Sequence, residues 1–124
     1  MNIALWVVAV VLALAFLAAG AMKLSRPKAA LAESGLGWVE DFSAGAVKGI
    51  GTVEVLGALG LVLPAVTGIA PVLVPLAATG LALTMVGAAV VHARRGETPM
   101  IAVNVVLLLL AAFVAWGRFG SYAF

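Results

Sequence analysis

Between Gly49 and Val91 the chain carries a single charged residue, Glu54. Burying an isolated carboxylate in hydrocarbon costs on the order of several kcal/mol, so such a group usually faces a bundle interior and serves a site. Four further polar side chains flank apolar runs: Lys23, Lys48, His92 and Asn104. Glu54 and His92 are residue types that move protons, which makes them the candidate catalytic pair. Lys23, Glu54, His92, Asn104 and Lys48 together are the candidate ligand-binding set. In setting the protonation of Glu54, burial and a neighbouring ammonium oppose one another, leaving it open to act as acid or base near neutral pH. The competing account is interhelical packing. In that account Glu54, protonated or paired with Lys23, fixes helix register; His92 sits at headgroup level; Lys23 snorkels to the interface; and Asn104 bonds a neighbouring helix.

Other chemistries lack their residues. The chain has no cysteine, hence no disulfide, thiolate nucleophile or CxxC couple. One histidine excludes bis-His haem ligation, and no His, Asp and Glu cluster has metal-ligand spacing, so no metal site is expected. There is no Ser/His/Asp arrangement and no glycine-rich phosphate loop followed by lysine; no motif encodes a cofactor. An arginine series for voltage sensing is also missing. The net charge of +2 comes from seven basic and five acidic residues, with no basic run interleaved with aromatics, so nucleic acid is not an expected partner.

The elements that must position these residues follow from composition. Hydrophobic residues make up 65% of the 124 and charged residues 10%, with mean hydropathy +1.26. Soluble domains are about 45–50% apolar, so this reads as an integral membrane protein. At roughly 20 residues per crossing, one domain, 1–124, holds four spans and no separate soluble catalytic unit. Lipid leaves unpaired backbone groups no partner, so the expected fold is an all-α, antiparallel four-helix bundle. Its spans are residues 3–24, 45–63, 69–92 and 99–117. The 37 uncharged residues from Val55 to Val91 are divided by a turn around Pro64, Gly68 and Pro71, with Pro75 a candidate kink. The stretch Ser25–Lys48 reads as a surface-lying connection, with a short amphipathic helix over Pro27–Glu33 and interfacial anchors at Trp38 and Phe42. Small residues at Ala15/Ala19, Gly45/Gly49 and Gly80/Thr84/Gly87 suggest close helix approach. Trp6 and Trp116 read as belt residues.

Basic residues set orientation. Lys23, Arg26, Lys28, Lys48, Arg94 and Arg95 fall on one side and Arg118 on the other. Loops 25–44 and 93–98 are therefore expected in the cytoplasm of a multi-pass cell-membrane protein, with both termini outside. Glu54, nine residues beyond Gly45, lies about 13 Å into a core roughly 30 Å thick. Lys23, Lys48, His92 and Asn104 lie in the cytoplasmic half.

An ordered set of segments carries a family resemblance: FLAAGAMKL (Phe16–Leu24), VEVLGALGLVLP (Val53–Pro64), MVGAAVVHARRGE (Met85–Glu97) and Pro99. Across nearly its whole length the chain resembles the DoxX-like family of small four-helix membrane proteins. Lys23, Glu54 and His92 match that family's polar pattern, which carries no general catalytic assignment. The family is named for a subunit of an archaeal thiosulfate:quinone oxidoreductase, and some bacterial relatives associate with oxidative-stress and thiol-redox complexes. The resemblance thus implies a membrane or redox protein partner, which would have to supply any thiol chemistry. Three functions follow as expectations. The first is a binder of a lipophilic molecule of quinone or isoprenoid type, or a redox-complex subunit, with Glu54 at its centre. The second is a stand-alone isomerase or cyclase using Glu54 and His92. The third is a structural or chaperone-like partner. Whether the chain is an enzyme, and whether it forms oligomers, is left open by the sequence.

Overall fold

The computed structural model of the chain describes residues 1–124. It contains helices α1 (Asn2–Ser25), α2 (Lys28–Glu33), α3 (Ala44–Thr67), α4 (Leu73–Arg94) and α5 (Thr98–Phe119), with a 3-10 turn at Gly37–Asp41 and no strand. The four long helices are each long and apolar enough to cross a membrane. Side chains such as Ile3, Leu83, Val66 and Leu109 point outward and are exposed. A continuous apolar exterior of this kind is stable only against acyl chains.

Local chemistry sets the helix ends. Arg26 is extended at the close of α1, as the residue before a proline prefers. The Ser43 side chain caps α3 by accepting a hydrogen bond from the Ala46 amide at 3.1 Å. Gly68, at φ 71°, ends α3 in the left-handed conformation. The expected turn at Pro64 lies four residues later, because α3 continues through Pro64 to Thr67. Pro64 lacks the N–H that would bond the Gly60 carbonyl, a loss of one helical hydrogen bond; separately, the Thr67 hydroxyl donates to the Leu63 carbonyl at 2.7 Å, near the helix end. Pro71 consequently sits in the turn before α4. Pro75 occupies the third helical position, where a proline removes no helical hydrogen bond, so it gives no reason for a kink.

Neighbouring long helices run antiparallel, α1 against α3, α3 against α4 and α4 against α5; α5 also meets α1. On α3 the buried positions Val47, Gly51, Glu54, Ala58 and Leu61 repeat by four and three, the seam of close helix pairing. Phe16, Leu12, Leu61, Leu81 and Val114 fill a dry core. A smaller cluster of Leu31, Val39 and Val47 packs α2 and the 3-10 turn onto the start of α3. Residues 26–43 therefore form a cap over one end of the bundle.

Close approach occurs at different glycines from those the small-residue spacing suggests. A Cβ on Gly20 would lie 2.6 Å from the Gly51 carbonyl oxygen, and one on Gly51 would lie 2.9 Å from the Gly20 carbonyl oxygen. Gly57 takes Leu81 and Gly60 takes Ala77 across the α3–α4 seam, while Gly117 takes Leu5 across α5–α1. Gly45, Gly49, Gly80 and Gly87 have no such neighbour within 4 Å. Small residues make a helix face flat, but which face is covered depends on the phase of the buried seam, and Gly45 and Gly49 are out of that phase.

Gly20→Ala is expected to lower thermal stability in detergent by about 1–3 kcal/mol, since backbone atoms would have to move. Gly45→Ala and Gly80→Ala, in open space, are expected to cause no loss, and the melting temperatures of the three variants check this.

Candidate functional site

The Gly20–Gly51 contact determines what happens three residues along each helix. Lys23 lies about 4.5 Å beyond Gly20 toward the capped end, and Glu54 about 4.5 Å beyond Gly51 in the opposite direction. Side chains lean toward the N-terminus of their own helix, so in this antiparallel pair the two lean toward each other. Lys23 Nζ reaches 2.7 Å from Glu54 Oε1, with both side chains buried. At that distance the contact is a close ion pair. Lys23 is thus turned into the bundle instead of snorkelling outward. Its ammonium also lies 5.8 Å from the centre of the Trp38 ring, within cation–π range.

The pair lines a cavity of about 440 Å³ bounded by α1, α3, α4, α5 and the cap, a volume within the roughly 300–1,000 Å³ typical of ligand pockets. Most lining side chains are apolar, with Phe16 and Met85 shared with the dry core below. Polar groups reach it from each long helix: Lys23 from α1, Glu54 from α3, His92 from α4 and Asn104 from α5. Asn104 is buried, and its amide Nδ2 has no hydrogen-bond partner. The expected helix-to-helix hydrogen bond from this residue is therefore not made. Thr84 also lines the wall, but its hydroxyl donates within α4 to Gly80 at 2.8 Å.

Lys48 does not join this group. It is exposed, and its ammonium donates to the Leu24 carbonyl at 3.0 Å, satisfying an end group of α1. Six residues of helix turn it about 120° away from Glu54, which explains why it misses the cavity. Trp38 and Phe42 depart from their expected role as surface anchors. They pack edge to face at 5.6 Å and form part of the cavity wall, because the 3-10 turn that carries them is drawn inward by buried Val39.

A polar chain joins the cavity to the cap. His92 Nδ1 lies 2.9 Å from Glu97 Oε1. Arg95 donates to the same oxygen from Nε at 3.2 Å, and from Nη1 to Asp41 at 2.7 Å. The Asp41 hydrogen bond favours the charged form of Arg95 still further. Asp41, Arg95 and Glu97 were not apparent as site residues in the sequence. The one signal was Gly96, whose φ of 70° turns the chain so that Glu97 folds back on His92. No group of three His, Asp or Glu side chains converges to hold a metal.

The DoxX-like family model matches residues 7–114. The chain belongs to the DoxX-like family. That match takes in all of α3 and α4, most of α1 and α5, and every side chain placed at the cavity above. No curated protein and no solved structure matches the chain.

At the other end of this DoxX-like protein, Arg118 is also buried. It bonds Asn2 Oδ1 at 2.7 Å and the Tyr122 carbonyl at 2.9 Å, and stacks on Phe124 at 3.9 Å. Its apolar surroundings separate it from the cavity. Removing one partner of a buried pair strands the other, at a cost of roughly 3–5 kcal/mol, whereas replacing both is often neutral. Lys23→Met is accordingly expected to destabilise the bundle more than Lys23→Met combined with Glu54→Leu. Denaturation of the single and double variants in detergent measures the difference.

Proposed function

We propose that this DoxX-like protein binds a neutral lipophilic molecule with a polar head, of quinone or isoprenoid type, in the cavity beneath the cap. It does so alone or as the membrane subunit of a redox complex. One observation carries this reading: Lys23, Glu54, His92 and Asn104, from four different helices, line a single, mainly apolar cavity. Burying a polar group without a partner costs roughly 1–3 kcal/mol by mutational measures, and the Asn104 amide has no partner within the protein. Packing alone gives no return for gathering four such side chains around one cavity. Lys23 and Glu54 neutralise each other, which favours a neutral head over an ion. Because Glu54 is engaged by Lys23, the arrangement supports binding over stand-alone acid–base catalysis by Glu54 and His92.

The whole chain acts as one domain in this reading, with Lys23, Glu54, His92 and Asn104 as ligand contacts. The cap and the α4–α5 loop face the cytoplasm of a cell-membrane protein, as the six basic residues on that side favour.

Trp38 supplies a direct test in nanodiscs, with Trp6 and Trp116 changed to Phe so that it alone fluoresces. A decyl-substituted benzoquinone should quench it saturably, and Glu54→Gln and Asn104→Leu should each weaken binding, Glu54→Gln by about tenfold or more. Quenching that never saturates, or that is indifferent to both substitutions, would rule this function out. Topology is tested separately, since the chain lacks cysteine. In intact cells Ser121→Cys should react with an impermeant maleimide and Ser34→Cys should not; the reverse pattern inverts the orientation.

A further inference from the structure

His92 is the only histidine in the chain, and its two ring nitrogens have different surroundings. Nδ1 faces Glu97 Oε1 at 2.9 Å. An ionised carboxylate can only accept a hydrogen bond, and Arg95, held in turn by Asp41, donates to that same oxygen. The proton therefore sits on Nδ1. In a neutral imidazole this leaves Nε2 with a lone pair and no proton. His92 is buried from solvent and lines the cavity, while Nε2 has no bond within the protein. The ring thus presents an acceptor at the cavity wall.

Resting on the binding function above, we infer that the ligand head carries a hydroxyl group that donates to His92 Nε2. Glu97 is then a positioning residue that selects this class of ligand without touching it. By fixing the proton on Nδ1 it makes the far side of the ring an acceptor, so a head bearing only carbonyls leaves Nε2 unmatched. Arg95 ties Glu97 to Asp41 in the cap, so the cap and the tautomer are held by one set of contacts.

The test has two arms. In nanodiscs without ligand, 15N NMR of the single histidine should show the Nδ1–H form in the wild type and a shift toward Nε2–H in Glu97→Ala. The second arm compares 4-octanoylphenol with 4-octanoylanisole, which differ in one O–H group. The wild type should prefer the phenol by about three- to tenfold, the worth of one neutral hydrogen bond. That preference should disappear in Glu97→Ala and in His92→Phe, while the anisole should bind all three proteins equally. An Nε2–H tautomer in the wild type, or equal affinity for the two probes, overturns the inference and leaves the cavity's function standing. Failure of both probes to bind a wild type that still binds the quinone overturns this inference alone, and failure of the quinone as well overturns the function with it.

Discussion

A lysine and a glutamate held 2.7 Å apart inside a hydrocarbon-soluble bundle organise this molecule. Taking either charge from water into the bundle interior costs several kcal/mol, and only close pairing recovers it. The pairing is possible because α1 and α3 touch backbone to backbone at Gly20 and Gly51, and because antiparallel helices incline those side chains toward one another. Sliding one helix by a turn would separate the charges by about 5.4 Å and leave each unmatched. The register of the first hairpin is thereby set by one electrostatic contact and one steric one.

The rest of the bundle divides along its length. On one side of the pair the helices close on a dry core of Leu12, Phe16, Leu61, Leu81 and Val114, sealed at its end by Leu5 against Gly117. On the other they enclose the cavity, and the segment between α1 and α3 folds over it. That segment is held by two kinds of force: apolar packing through Leu31 and Val39, and the Arg95 bridge between Asp41 and Glu97. A surface ion pair alone contributes little. Here Arg95 spans two loops and orients a buried ring, so its effect is geometric more than energetic.

How much of this the sequence disclosed depends on the range of the forces involved. Span number, all-helical fold and antiparallel order follow from apolar run length, a property of contiguous residues, and the helices have the expected number and place. Helix α3 runs past Pro64 to Thr67 because one proline costs a helix a single hydrogen bond without ending it, and the stop comes at Gly68 in the left-handed region. Glu54 stood out because charge in an apolar run is conspicuous. Lys23 reads both as a partner of Glu54 and as a snorkelling side chain, and a glycine contact with a helix thirty residues away decides for the first. Asn104 and Lys48 read alike as ligand contacts, but only Asn104 lines the cavity, because sequence gives depth along a helix and not which neighbour covers each face. Glu97 and Asp41 looked like ordinary loop acids until the chain reversal at Gly96 and the 3-10 turn brought them to His92 and Arg95.

The reciprocal fit at Gly20 and Gly51 also limits how the family's sequences can drift. A cavity or an ion pair offers alternatives: a smaller residue on one helix accommodates a larger one opposite, and two charges can be exchanged together for two apolar groups. Two glycines in mutual backbone contact offer none, since neither has a side chain left to give up. Among relatives that retain the first hairpin, substitutions at the charged positions should occur in pairs, whereas the two glycine positions should stay unchanged.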